Sequence, residues 1–513
     1  LSNLNASTAG AITADNIGGA TTGFNASFSA SADTITITGN STNTNTIKLG
    51  AGNDILNFSS STGNTYIFGE DGNDTITAGS AGTTYIDGGA GNDIITGGQG
   101  VTNFNVSAGT DTITDLGYGI DSIATSLGAT ANASLYSSTP SWTAGNAINA
   151  GTLVINAPTN TTTATLNLSS QINTGSLMLN LPALTGTTTL TLPTTANQKI
   201  TVTGGMGADR IVISGQTLTS NASINGGAGT DTLKSITGAN IATVGALTSV
   251  EQLDFAGTFT LTAAQLDGFT LLTGSSTPNL TLTTAVTAAM LDNAKIETTD
   301  TTITLANVAN NAITLANATV PSGNTLKIDA SALTGTNALT FDGSAEADGL
   351  LSVTGGAGAD TITGGTGIDT LIDTLIGGDG GDIFIYKTAN AFSTSSAVID
   401  SIMFDSTGGD ITIPSTVILD RVQNVEKITA SASANPYSFT LIATSQTTSD
   451  FNTIDLSGDT NSTGINVISS TDANGITTII GSAGVDQISV LTAAPATTVT
   501  GGLVIDTFTI TAH

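Results

Sequence analysis

The sequence has no cysteine, one tryptophan and one histidine, His513, which is its last residue. Without cysteine there is no disulfide, zinc–thiolate site, iron–sulfur cluster or thiol nucleophile. Without an internal histidine there is no Ser-His-Asp triad and no H-E-x-x-H zinc helix. Positive charge is nearly as scarce: 9 Lys and Arg stand against 39 Asp and Glu in 513 residues, a formal net charge of −30. Nine basic side chains cannot build the cationic footprint that nucleic acid demands. No apolar run approaches the roughly 18 residues of a membrane-spanning helix. Neither a nucleic-acid partner nor membrane insertion is therefore expected. Helix patterns are also rare, the best being Ala263–Leu272 and Thr287–Lys295. The chain opens on Leu1 in a polar, uncharged stretch with no signal-peptide pattern, as expected of a processed product or a fragment.

What the chain does have is alternation. Thr162–Leu168 reads TTATLNL, Thr187–Leu192 reads TTTLTL and Thr301–Leu305 reads TTITL. Aliphatic residues alternating with threonine fit strands with one buried and one wet face. Clusters of Asn, Gly, Ser and Asp interrupt these runs as turns require. The expectation is an all-β chain with very little helix.

It also repeats itself. Ile328–Ile362 begins IDASALTG and ends GGAGADTI, while Ile454–Ile488 begins IDLSGDTN and ends GSAGVDQI. Looser copies run over Phe24–Leu56 and Leu179–Val212, and LTSVEQLDFAG at Leu247–Gly257 is echoed by LDRVQNVEKITA at Leu419–Ala430. Glu251 and Glu426 take equivalent places in that element, which argues for a structural role rather than an acid–base pair. Four β modules are expected, at 1–121, 122–231, 232–410 and 411–513, each carrying a glycine–aspartate block.

Those blocks follow G-G-x-G-x-D-x-U-x, with U a large aliphatic residue, a pattern whose glycines turn sharply and whose aspartate supplies an anionic oxygen to a hard cation. The clearest is GGAGNDIIT at Gly88–Thr96, flanked by LGAGNDILN at Leu49–Asn57, GEDGNDTIT at Gly69–Thr77 and a degenerate SAGTDTITD at Ser107–Asp115. Asp54, Asp74, Asp93 and Asp111 thus recur at nearly even intervals, each step the length of two nonapeptides. A coil of two strands and two turns would stack them along one edge, with a cation row on that flank only. Tyr66, Tyr85 and Phe104, evenly spaced, read as a column of core or rung-edge aromatics. The second block carries Asp209 and Asp231, with Arg210 and Lys234 beside the turns and expected to weaken cation binding. The third carries Asp360, Asp369 and Asp382, followed by an acidic cap at Asp400, Asp405 and Asp410. The fourth carries Asp486 and a weaker GGLVIDTFT around Asp506.

These repeats resemble those of the RTX (repeats-in-toxin) family of secreted bacterial proteins. The resemblance implies an elongated parallel β-roll or β-helix-like fold with β-rich modules, binding multiple Ca2+. It implies carboxylate ligands at Asp54, Asp74, Asp93, Asp111, Asp209, Asp231, Asp360, Asp369, Asp382 and Asp486. It implies carbonyl donors at Gly88 with Ala90, Gly355 with Ala357, and Gly364 with Thr366. The Thr/Ala/Gly/Asn-rich remainder is similar to RTX-bearing surface-layer (S-layer) proteins. That likeness implies a structural, non-enzymatic protein secreted by a type I route to the cell surface, forming a homo-oligomeric lattice and meeting cell-surface polysaccharide through a region not seen here. An RTX adhesin or matrix protein binding glycans is the alternative. Family C-termini carry a secretion signal, which is not expected in a chain that stops just after a degenerate motif.

Overall fold

In the computed structural model the described residues are 3–363, except 6–7, 9, 16–22, 39–41, 80, 118–119, 137–140, 145–147, 158–162, 171, 174, 195–198, 288–290, 292–293, 298–299, 318, 348 and 359, together with 374–376, 383–385, 400–404, 412–413, 425–430, 438–441, 453–457, 465–470, 478–492, 498–501 and 505–512. They form two compact units, Leu1–Asp254 and Phe255–His513. The chain is a nearly all-parallel β-solenoid, and the one α-helix among the described residues is Ala263–Asp267.

In the first unit the chain alternates between two sheets. One takes Asn25–Ser27, Asn45–Ala51, Thr65–Asp71, Thr83–Asp87, Val101–Val106 and Ile120–Thr125 in order. The other takes Thr34–Thr38, Ile55–Asn57, Thr75–Thr77, Ile94–Thr96, Thr110–Leu116 and Thr130–Leu135. Each strand pairs with the equivalent strand one coil later, so inward-facing residues stack into columns. Ile47, Ile67, Ile86, Phe104 and Ile123 form one such column. Ile35, Leu56, Ile76, Ile95 and Ile113 form the other. All ten are buried. Burying an aliphatic side chain of this size contributes roughly 1.5–3 kcal/mol, and these columns, rich in β-branched residues, are what make a narrow coil stable without a helix layer.

A third sheet opens at Ser141–Thr143, continues through Ala164–Asn167, Thr188–Thr191, Arg210–Ile213 and Thr232–Ser235, and outlasts the first sheet, which ends at Ile172–Asn173. The coil lengthens where the three sheets coexist: the step from Leu153 to its partner Leu177 is longer than that from Ile76 to its partner Ile95. Trp142, the only tryptophan, sits buried in the first strand of this third sheet and donates its indole N–H to the Asp121 carbonyl at 2.9 Å.

The second unit repeats the design. Leu271–Leu282, Thr301–Thr304, Thr325–Asp329, Leu350–Thr354 and Thr374–Ile376 follow one another in one sheet, and Asn311–Thr314, Leu339–Asp342, Thr361–Thr363 and Ile383–Ile385 in another. From Asp400 onward two five-stranded sheets alternate in the same way.

Three expectations are corrected. The helix expected over Ala263–Leu272 stops at Asp267, held by a capping box between Thr262 and Gln265 and ended by Gly268; Leu271 already belongs to the next strand. No helix is seen in the described part of Thr287–Lys295, where Leu291 makes a parallel bridge to Leu315 and Lys295 begins a strand. Both runs are apolar enough for a helix, but the coil requires an extended rung there. The aromatic column also splits. Tyr66 pairs with Tyr85, their ring centroids 6.2 Å apart, on the outer face beside Phe68. Tyr85 then pairs with Asn103, because the next coil is one residue shorter, and Phe104 turns inward. In a strand, a one-residue difference in register moves a side chain to the opposite face.

Candidate metal centres

The corner where the first sheet passes to the second is built by the glycine–aspartate turns. Each aspartate there is tied to the rung before it. The backbone N–H of Asp33 donates to Asp54 Oδ1 (2.6 Å), that of Asp54 to Asp74 Oδ1 (2.8 Å), that of Asp74 to Asp93 Oδ1 (2.8 Å) and that of Asp93 to Asp111 Oδ1 (3.1 Å). One carboxylate oxygen per rung is thus used to hold the coils in register. The other, Oδ2, has no hydrogen-bond partner in Asp54, Asp74, Asp93 and Asp111, although none of these residues is more than 1% exposed.

An unpartnered, buried carboxylate oxygen is costly. Burial raises the pKa of all four: Asp74 and Asp111 are pushed up to about 7, and Asp54 and Asp93 move in the same direction. The backbone N–H on Oδ1 opposes this, and the neighbouring aspartates add to it. Adjacent strands lie about 4.8 Å apart, and two unit charges at that distance repel by roughly 3–4 kcal/mol at an effective dielectric constant of about 20. The row therefore has to be protonated or matched by a cation.

The backbone leaves room for the latter. At Gly69, the Gly88 carbonyl oxygen of the next rung and Asp74 Oδ2 converge on the place a Cβ would occupy. The same pair of oxygens recurs at Gly226, from Ser249 and Asp231. The donors are all oxygens, the set a hard cation takes. Among the described residues no three acidic or histidine side chains converge on one point, so backbone carbonyls must complete any coordination shell. The residues fit calcium: Asp54, Asp74, Asp93 and Asp111 would hold it with carbonyls such as that of Gly88. The Ala90 carbonyl, expected as a donor, already accepts the Gly72 N–H at 2.8 Å.

The family described as RTX calcium-binding nonapeptide repeat (4 copies) matches residues 59–81, 78–113 and 352–371. The chain carries RTX calcium-binding repeats. Their cofactor is calcium, in multiple copies. Of the expected carboxylates the matched stretches hold Asp74, Asp93, Asp111, Asp360 and Asp369, and they cover a minor part of the chain. Comparison with curated proteins and with solved structures returned no match.

The other expected ligands fall into separate corners. Asp209 and Asp231 form a second ladder in which Thr188 N–H donates to Asp209 Oδ1 (2.8 Å) and Asp209 N–H to Asp231 Oδ1 (2.7 Å). Asp231 Oδ2 is again buried without a partner, and burial pushes its pKa up to about 6. Lys234, expected to weaken cation binding, is paired with Asp254 at 2.5 Å. Asp360, in the turn of Gly355 and Ala357, receives the Leu339 N–H on Oδ1 (2.7 Å), and its pKa is raised by burial. The Ala357 N–H donates to the Leu333 carbonyl. Asp486 N–H donates to Asp506 Oδ1 at 2.9 Å. Gly364, Thr366, Asp369, Asp382, Asp405 and Asp410, and the side chains of Asp400 and Glu426, lie outside the described residues.

Several carboxylates were missed. Asp33 heads the first ladder, receiving N–H groups from Gly10 and Ser29. It lacks the glycines of the motif, but its D-T-I-T continuation matches that of Asp74 and would have found it. Glu251 ends the second ladder, its Oε2 accepting the Asp231 N–H at 2.9 Å. On another corner, buried Asp115 accepts the Gly97 N–H and buried Asp121 accepts the Thr102 and Gly117 N–H groups. Burial raises both, Asp121 to about 7.

Proposed function

We propose that this is a secreted, calcium-folded structural protein that assembles into a two-dimensional lattice on the bacterial cell surface. The observation that carries the calcium-folding part is the row of four buried, unpartnered aspartate oxygens, one per coil, at Asp54, Asp74, Asp93 and Asp111. In a calcium-poor cytosol the row keeps the coil weak, because Oδ1 can hold the register only while Oδ2 is left without a partner. Calcium supplies the positive charge that lets all four carboxylates stay ionised and buried, coupling folding to the metal. Asp54 to Asp111 thereby fasten successive rungs at one corner while the Ile and Leu columns seal the interior. Proteins bearing this repeat are typically extracellular, where calcium is abundant and a chain exported unfolded closes after it emerges.

The lattice reading is supported by charge. With a net charge of −30 and few basic residues, like surfaces repel until a divalent cation bridges them. Circular dichroism and light scattering in chelator and in millimolar calcium test both steps. Unchanged spectra would overturn calcium-dependent folding, and folding without ordered sheets in electron micrographs would overturn the lattice. Isolated rods would favour a second reading, a glycan-binding adhesin. Its support is the outward-facing Tyr66, Tyr85 and Phe68 cluster, with Lys48 5.9 Å above the Phe68 ring.

A further inference from the structure

We infer that the glycine–aspartate turns are of two kinds, which their motif does not distinguish: cation-binding turns at Asp54, Asp74, Asp93, Asp111 and Asp231, and self-capped turns at Asp209, Asp360 and Asp486 that close without metal. This rests on the calcium reading and assigns its sites. Turns of both kinds use Oδ1 for a backbone N–H of the rung before, as at Asp74, Asp231, Asp209 and Asp360, while Asp486 Oδ1 accepts the Ser482 hydroxyl at 3.0 Å. The two kinds differ at Oδ2. In the first kind that oxygen is buried and without a partner in all five turns. In the second it accepts the N–H of the residue four positions earlier: Gly205 to Asp209 (2.6 Å), Gly356 to Asp360 (2.7 Å) and Ser482 to Asp486 (2.8 Å). Asp33 is closed in the same way by the Ser29 N–H at 3.1 Å and the Ser29 hydroxyl. An amide proton then points where a cation would bind, and the carboxylate has a donor on each oxygen.

The backbone decides which kind forms. Two residues before the aspartate, Gly52, Gly72, Gly91, Gly109 and Gly229 are all left-handed, with φ of 124°, 132°, 134°, 71° and 123°. The equivalent Gly207 and Gly358 are not. In two of the cation-binding turns the amide four positions before the aspartate is seen to have other work. Gly89 N–H donates to Asp87 Oδ1 (3.2 Å) and Gly227 N–H to Asn225 Oδ1 (3.1 Å). Thr203, Thr354 and Ile480 stand where Asp87 and Asn225 stand. The oxygen cradle at the first glycine is common to both kinds, since Gly226 O and Asp209 Oδ2 meet at Gly204. In the Asp93 and Asp231 turns the diverted amide leaves Oδ2 open to a cation.

Two consequences run against the extent of the family match. Asp360 lies within the matched stretch 352–371 yet is self-capped. Asp231 lies outside every matched stretch yet has the open geometry. Its next rung ends on a carboxylate of another type, Glu251, and two residues before Glu251 the backbone is again left-handed, at Ser249 with φ 50°. Only three non-glycine residues among the described ones adopt such a φ, and the Ser249 carbonyl is the one that meets Asp231 Oδ2 at Gly226. Asp231 Oδ2 and the Ser249 carbonyl are therefore assigned as ligands of a separate divalent-cation site, with Glu251 as positioning residue.

The test is calcium content of the full chain, by equilibrium dialysis and atomic absorption, for wild type, Asp93→Asn, Asp209→Asn, Asp231→Asn and Asp360→Asn. Asp93→Asn and Asp231→Asn should each lose at least one ion per chain, and Asp209→Asn and Asp360→Asn none. Loss from Asp209→Asn or Asp360→Asn, or a full complement in Asp231→Asn, overturns the assignment. A wild-type chain with no bound calcium overturns the calcium reading beneath it. Should a variant not fold, hydrogen exchange of the wild-type chain decides: protection of the Gly205 and Gly356 amides should be the same in chelator and in calcium, and that of the 226–231 turn should rise with calcium. Calcium-dependent protection at Gly205 and Gly356 overturns the inference.

Discussion

Replacing Asp74 with asparagine should stabilise the calcium-free protein and destabilise the calcium-bound one. Asp74 is 1% exposed, and its pKa is pushed from 3.8 up to about 7, with burial as the first cause. A carboxyl whose folded-state pKa is raised holds its proton more tightly in the fold than in the unfolded chain. Below about pH 4 it therefore costs nothing; the penalty grows from pH 4 to 7 and is complete above 7. The interval from 3.8 to about 7, at about 1.36 kcal/mol per pKa unit, comes to about 4 kcal/mol. Asparagine keeps an oxygen for the Asp54 N–H (2.8 Å) and puts an NH2 group where Oδ2 meets the Gly88 carbonyl. Allowing about 1–2 kcal/mol for imperfect amide geometry, the net gain at pH 8 is about 2–3 kcal/mol. For a unit of about 250 residues that corresponds to a rise in Tm of about 5–10 °C. Thermal circular dichroism in chelator at pH 8 reads it, and the gain should vanish at pH 4. In saturating calcium the order should reverse, because the variant lacks a ligand. A variant no more stable than wild type in chelator at pH 8 would refute the claim that a buried, unmatched charge limits the metal-free fold.

The wild-type protein in chelator should lose Tm steadily from pH 4 to 8, because Asp111 (about 7) and Asp231 (about 6) are raised in the same direction as Asp74. Saturating calcium should abolish that slope, and the calcium midpoint measured by titration should fall as pH rises through 7. Ile76→Ala opens a cavity in the middle of an aliphatic column and should cost about 2–5 kcal/mol in denaturant unfolding, with or without calcium. Gly91→Ala places a Cβ against the Gly72 carbonyl at φ 134°, and should lower both stability and calcium content because the turn itself must rearrange. Thr262→Ala removes half of the capping box and should cost about 1 kcal/mol in the second unit, seen as a lower Tm.

The coil and its aspartate row were legible because both are matters of spacing. Asp54, Asp74, Asp93 and Asp111 recur at a nearly constant interval and each is followed two positions later by an aliphatic residue, so a parallel coil places them at one corner and the aliphatics inside. Glu251 was expected to be structural from its repeat, but its place at the end of the ladder escaped because a ladder end needs only a carboxylate at the right height, with no glycine signature. The helix expected at Thr287–Lys295 failed because local apolar pattern cannot tell a helix from a buried rung of the same length.

Spacing along the chain determined the fold class, the coil period and which carboxylates share a corner. Only the tertiary structure decided what each carboxylate does there. GGMGADRIV and GGAGTDTLK are nearly the same sequence, yet Asp209 is closed by its own Gly205 amide while Asp231 keeps an open oxygen. The difference lies in a glycine φ and in where one amide finds its acceptor. Neighbouring rungs, a full coil away along the chain, shape both. Phe104 turned inward for a related reason: a coil one residue shorter shifts the register with the neighbouring rung and so changes the face. Periodicity is written in one chain segment, whereas hydrogen-bond satisfaction and register are properties of segments brought side by side.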